Sequence, residues 1–302
     1  MSTPLDISRS YVPSFTGEPL DTRVLVCAGM GGSAFPARVL RMLQASPYLI
    51  SHQDYGLPPK MPPKAEYVAI SYSGETEETL SFVREAFAAE LPLSVITSGG
   101  TLLTFAREHG IRYVSVPSGL VPRDAVVVMS RALLALLGED ALLPADAEFD
   151  LAAAEREGEA LASELSGLIP IVYASTRNMV ISDLGKVLFN ETAKVPSFAN
   201  VFPEMNHNEL QSFEGADVAR FAAVFLKDGT DDERVLKRMA LTERLLKERG
   251  VLTVSLELPS STRAETFLYA WCLLRSSAQS LAHAQGVEPD ATPLIEEFKR
   301  LL

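Results

Sequence analysis

Cysteine is nearly absent: Cys27 and Cys272 are the only two in 302 residues, and neither sits in a metal-binding or redox spacing. A disulfide framework and a cysteine-based zinc site are thereby excluded, and both thiols read as reduced, buried side chains. Histidine is scarce as well, with four copies and no H-E-x-x-H or other histidine–carboxylate set. No metal and no other cofactor is expected. Basic charge is in deficit: 27 lysines and arginines face 39 acids, a net charge of −12, and a nucleic-acid partner would want a basic face instead. Long apolar runs are missing. The longest, residues 267–274, falls far short of the roughly 20 residues that span a bilayer. The first twenty residues show neither a basic start nor an apolar stretch, so no signal peptide is expected. The composition points to a soluble cytoplasmic protein that touches no membrane.

What is present is ample core material, 47% hydrophobic residues, in a chain long enough for two domains. Apolar runs without alternation, such as 24–28, suit parallel strands covered on both faces. Strands are expected at 24–28, 48–52, 67–71, 93–97 and 112–116, with helices near 35–45, 77–89, 101–109 and 124–138. A proline-containing, acid-rich stretch at 138–150 reads as a linker. The second half alternates again, with strands at 169–174, 195–202, 221–226 and 251–256 and helices near 150–166, 181–193, 231–250 and 262–285. On the last of these, Phe267, Trp271, Leu274, Ala278 and Leu281 form one apolar face, read as core or a subunit interface. The fold class is α/β, with two flavodoxin-like doubly wound units assigned to residues 1–145 and 146–302.

Two loops carry the functional signal. Gly29-Met30-Gly31-Gly32-Ser33 follows the apolar strand at 24–28 and precedes a helix, with Ser33 as its expected cap. Ser71-Tyr72-Ser73-Gly74-Glu75-Thr76 follows the strand ending near residue 70 and opens the helix at 77. Such turns present free N–H groups, hydroxyl donors and the positive end of a helix dipole to an anion. The first loop is not G-x-G-x-x-G, and no acidic residue stands where a ribose contact needs one, which disfavours a dinucleotide enzyme. A small phosphorylated ligand fits better, held mainly by the first half. Ser175-Thr176-Arg177, the corresponding turn of the second half, lacks the glycines.

These residues resemble the bifunctional phosphoglucose/phosphomannose isomerases of the sugar-isomerase (SIS) domain superfamily. The loops at 29–33 and 71–76 are similar to the family's G-M-G-G-S and S-Y-S-G-N-T. Asn190-Glu191-Thr192-Ala193-Lys194 is similar to N-E-N-A-K, and Pro203-Glu204-Met205-Asn206-His207-Asn208-Glu209 to P-E-x-N-H-N-E. The C-terminal residues from Gly286 through Thr292-Pro293 to Lys299-Arg300 resemble the closing G-V-D-P…T-P…L-K-R. The likeness is collinear over nearly the whole chain. It departs at Glu75, where asparagine is usual and a carboxylate now stands near the expected phosphate, and at Thr192 and Ala34.

The resemblance implies two SIS-type subdomains, the first with phosphate-binding loops and the second with catalytic residues. It implies interconversion of glucose 6-phosphate and mannose 6-phosphate with fructose 6-phosphate through a cis-enediol. Gly31, Gly32, Ser33, Ser71, Ser73 and Thr76 would bind the sugar phosphate. Glu191 would be the base and His207 the ring-opening group, reaching the site from the partner subunit of a homodimer. Lys299 would assist ring opening, Arg123 would steady the enediolate, and a small Thr292 would admit both C2 epimers. Taken singly, several of these residues have plainer readings. Glu191 and Lys299 read as solvated side chains, Arg123 as half of a surface ion pair, and Thr292 as a helix cap. A non-catalytic sugar-phosphate sensor and an isomerase for another phosphosugar are the alternatives.

Overall fold

The computed structural model of the chain describes residues 2–45, 47–215 and 217–301. It divides into two compact units, one ending at Ala147 and the other beginning at Glu148. The first contains α1 (Pro4–Ser10), β1 (Val24–Ala28), α2 (Phe35–Met42), β2 (Tyr48–His52), β3 (Glu66–Ile70), α3 (Glu77–Ala88), β4 (Leu93–Thr97), α4 (Gly100–Glu108), β5 (Arg112–Ser115) and α5 (Val126–Leu136). Its five strands are all parallel in the order β2-β1-β3-β4-β5. The central strands are buried on both faces, so β1, β3 and β4 read as unbroken apolar runs rather than alternating ones. One side of the sheet packs Phe82 and Val83 of α3 and Leu102 and Ala106 of α4 against Val26, Ala69 and Val95.

The second unit contains α6 (Leu151–Glu164), β6 (Ile169–Ser175), α7 (Met179–Glu191), β7 (Phe198–Phe202), β8 (Phe221–Asp228), α8 (Glu233–Glu248), β9 (Leu252–Leu258), α9 (Arg263–Ala284) and α10 (Pro293–Leu301). Its sheet is again parallel, in the order β7-β6-β8-β9. The expected α/β class with two parallel sheets flanked by helices is therefore observed.

Several local expectations change. The N-terminal leader carries α1, opened by a capping box between Thr3 and Asp6 and tied down where Arg131 of α5 donates to the Tyr11 carbonyl at 2.9 Å. Strand β7 starts at Phe198 rather than 195, because Pro196 has no N–H and the Ser197 N–H goes to the Asn190 side chain at 2.8 Å. Helix α9 buries more than its one apolar face: Leu268, Tyr269, Ala270 and Leu273 are covered too, so it is a core helix buried almost all round. Helix α8 starts at Glu233, capped by the Asp232 side chain, which accepts the Arg234 N–H at 2.8 Å.

Candidate functional site

In the first unit the chain leaves β1 toward β2 on one side and β3 toward β4 and β5 on the other. That reversal between adjacent strands opens a crevice beyond their C-terminal ends, the usual ligand position in an open parallel sheet. The glycine loop ends β1 and the serine loop ends β3, so both sequence motifs fall at this one place. Gly31 adopts φ +50, and residues 31–34 form a single 3-10 turn before α2. Gly32 cannot be replaced: a Cβ there would lie 2.5 Å from the Pro122 carbonyl oxygen. The glycine loop thus lies directly on the Pro122–Arg123 peptide.

The hydroxyls divide into two kinds. Ser33 is buried and does not cap α2, whose N-cap is Ala34. Its Oγ instead accepts the Tyr72 N–H at 3.0 Å and welds the two loops together. Ser71, also buried, accepts the Gly74 N–H at 3.1 Å and donates to Thr76 Oγ1 at 3.0 Å. Thr76 holds the N-cap position of α3 with no side-chain capping bond, so the helix's first-turn donors are not consumed by its own cap. Ser73 is exposed at the tip of the turn, its Oγ accepting the Glu75 N–H at 3.3 Å. Ser33 and Ser71 shape the loop, whereas Ser73 and the N-terminus of α3 face outward.

Tyr72 is the keystone that the sequence reading passed over. Its hydroxyl donates to the Pro117 carbonyl at 2.8 Å and accepts the Leu120 N–H at 2.9 Å. Its carbonyl accepts the Ser98 N–H at 3.0 Å. One residue between two serines therefore pins three loops to the serine loop, that after β5 through its hydroxyl and those after β1 and β4 through its backbone N–H and carbonyl. Burial raises its pKa, opposed by the Leu120 hydrogen bond, so it stays a neutral phenol. No periodicity or motif spacing could have signalled this, since all its partners are distant in sequence. Arg123, at the end of the loop after β5, is 2% exposed, which removes the reading of a surface ion pair.

In the second unit Glu191 is the last residue of α7 and is half-buried. Lys194, in the left-handed region at φ +57, turns back on that helix end. Its Nζ donates to the Glu191 carbonyl at 2.6 Å and the Thr192 carbonyl at 3.3 Å. A third bond, to the Pro289 carbonyl at 3.0 Å, draws the segment before Thr292 toward Glu191. A cation at a helix C-terminus is favoured by the dipole, and here it also anchors the following loop. Thr292 precedes α10 and its carbonyl accepts the Glu296 N–H at 3.0 Å, the N-cap position, while Lys299 is exposed on the same helix.

The segment 203–209 after β7 is held by its own polar residues. Asn206 donates to Thr242 of α8 at 2.8 Å, and both carboxylate oxygens of Glu209 are taken, by the Tyr173 hydroxyl and the Asn200 amide. Glu204 accepts from Asn208 at 2.8 Å. His207 is left exposed, its imidazole making no hydrogen bond among the described residues. The remaining histidines are placed otherwise: His52 bonds the Gly56 carbonyl at 2.9 Å, His109 packs between the rings of Phe87 and Phe105, and His283 is exposed.

The crevice between β6 and β8 is filled from within. Arg263 pairs with the buried Asp228 at 2.8 Å, and Ser175 donates to Asp231 at 2.8 Å. Burial would raise the Asp228 pKa, but hydrogen bonds from Thr230 and Asn178 and the Arg263 charge outweigh it and hold the group ionised. Among the described residues no group of three histidine, cysteine or acidic side chains is arranged to hold a metal, and no helix is long and apolar enough to cross a membrane.

The model of the bacterial phospho-glucose isomerase C-terminal SIS domain matches residues 154–302. Among solved structures, hypothetical protein TT0462 from Thermus thermophilus superposes with a TM-score of 0.72 at 17% identity, over 93% of this chain and 83% of that one. The tagatose-6-phosphate ketose/aldose isomerase of Escherichia coli superposes with a TM-score of 0.64 at 14% identity, over 88% and 83% of the two chains. The chain therefore shares the fold of these solved structures, and the match to the SIS-domain model covers most of its second unit. A relative from Aquifex aeolicus (strain VF5), a bifunctional phosphoglucose/phosphomannose isomerase, is 31% identical over 287 residues, covering 92% of this chain and 90% of its own. The chain belongs to the bifunctional phosphoglucose/phosphomannose isomerase family.

Proposed function

We propose that the protein interconverts glucose 6-phosphate and mannose 6-phosphate with fructose 6-phosphate, in the cytoplasm, without a metal. The observation that carries this reading is the welded pair of loops at the first unit's switch point, in a chain that also retains Glu191, His207 and Lys299. A sensor would need only the loops. The exposed Ser73 hydroxyl, the Gly74 region, the Thr76 hydroxyl and the uncapped start of α3 receive the phosphate, with Gly31 and Gly32 allowing close approach and Ser33 and Ser71 setting the loop's shape.

Once the phosphate is bound, His207 and Lys299 move the protons that open the ring. Glu191 then takes the C2 proton, Arg123 offsets the enediolate charge, and Glu191 returns the proton to C1. The exposed and unbonded His207 suits delivery into a partner's site, so the active form is a homodimer with His207 acting in trans. Thr292 is small enough to let the C2–C3 bond rotate and present either epimer's proton to one base.

Wild type is expected to turn over both hexose 6-phosphates in coupled assays against fructose 6-phosphate. Thr292→Gln, which places a bulky amide at this position, is expected to lose mannose 6-phosphate activity preferentially. Absence of any mannose 6-phosphate turnover in wild type would leave a glucose-6-phosphate isomerase and remove the bifunctional reading. Removing a phosphate donor in Ser73→Ala or Thr76→Ala should weaken fructose 6-phosphate binding by about 1.5–3 kcal/mol, with the loss in KM. Wild-type affinity in both variants would show that the phosphate binds elsewhere.

A further inference from the structure

The carboxylate of Glu75, which stands where the family most often has asparagine, is turned onto the neighbouring helix. Its Oε1 accepts the Thr101 N–H at 2.7 Å and its Oε2 accepts the Thr101 hydroxyl at 2.8 Å. The Gly74 carbonyl accepts the next donor of that first turn, the Leu102 N–H, at 3.0 Å. Helix α4 has no cap of its own, since Gly99 stands at its N-cap and makes no side-chain bond. Two of its orphan donors are thus satisfied by the turn that enters α3. The two turns touch so closely that a Cβ on Gly74, at φ +72, would lie 2.0 Å from the Gly99 carbonyl oxygen. A Cβ on Gly100 would lie 2.4 Å from the Ser73 carbonyl oxygen.

We infer that Glu75 is a positioning residue for phosphate recognition, fixing the Ser73–Gly74 turn by capping α4 from outside while that helix's N-terminus absorbs its negative charge. The inference rests on the phosphate-loop reading above. An anion meeting a loop must order its donors as it binds, and a turn already bolted to a rigid helix avoids that ordering. A carboxylate held by a helix N–H and a hydroxyl at the positive end of the dipole is screened from the substrate instead of repelling it. Glutamine keeps one acceptor oxygen for the Thr101 N–H, whereas alanine keeps none.

The test uses the full chain carrying Glu75→Ala or Glu75→Gln, with Thr101→Ala as a milder probe that deletes only the hydroxyl contact. Glu75→Ala is expected to raise KM for fructose 6-phosphate and Ki for inorganic phosphate about tenfold, with kcat within about twofold. Amide exchange at Thr101 and Leu102 should accelerate in parallel. Glu75→Gln should restore most of both properties, and Thr101→Ala should fall between alanine and wild type. Tighter phosphate binding in both Glu75 variants would overturn the inference, since the carboxylate would then act by repulsion. Unchanged exchange would overturn the cap, and accelerated exchange with unchanged KM would overturn the positioning role. Failure of the phosphate-loop reading itself appears separately, as wild-type phosphate affinity in Ser73→Ala.

Discussion

Glu191→Gln is expected to reduce isomerisation of both hexose 6-phosphates at least about 1,000-fold in kcat, within the range that a positioned acid–base group supplies. The amide has the shape of the carboxylate but cannot carry the proton between C2 and C1, so sugar-phosphate affinity should change little. Glu191 ends α7 and is half-buried, and the bond from Lys194 to its main-chain carbonyl at 2.6 Å does not involve the group that the substitution changes. Solvent deuterium entry at C2 should vanish together with turnover. Continued exchange in the variant would identify another base. Glu209 is poorly placed for that work, since both its oxygens accept hydrogen bonds from Tyr173 and Asn200, which leaves Glu204 as the other candidate.

His207→Gln is expected to lower kcat on the cyclic hexose 6-phosphates by about 100-fold or more. Stability should stay within about 0.5 kcal/mol of wild type, because the imidazole is exposed and bonds nothing among the described residues. An aldose phosphate too short to close a ring should still exchange its C2 proton at a near wild-type rate, which separates ring opening from proton abstraction. Equal loss on the short substrate would move His207 into the enediol step. Mixing this variant with Glu191→Gln adds a test of the dimer. If His207 acts in trans, each mixed dimer contains one intact site and activity returns. If it acts in cis, both sites stay broken and the mixture remains inactive.

The two loops were legible because their signals are local. An apolar run of five, then glycines or serines, then an amphipathic helix start specifies strand, turn and helix within about fifteen residues. The strand-and-helix order of both halves followed from the same periodicities, and collinear motifs were enough to indicate the family. What each polar side chain does was not legible. Ser33 read as a helix cap, and its hydroxyl bonds instead to the Tyr72 N–H, 39 residues away in sequence. Arg123, for which a surface ion pair is the plainer reading beside the enediolate role implied by the resemblance, is buried. Hydrogen-bond partners brought together by sheet order leave no period in the chain.

By itself the sequence determined that this is an acidic α/β chain with two parallel-sheet halves, with a glycine loop and a serine loop after strands of the first half and the motifs around Glu191, His207 and Lys299 in the second. Periodic burial and turn chemistry are short-range properties, and they are written residue by residue. Only the tertiary structure decided that Tyr72 ties together the loops after β1, β3, β4 and β5, that Lys194 anchors the end of α7, and that the Glu75 carboxylate is spent on the first turn of α4. Those roles depend on which strand lies beside which, because adjacency in the sheet sets which turns meet at its C-terminal edge.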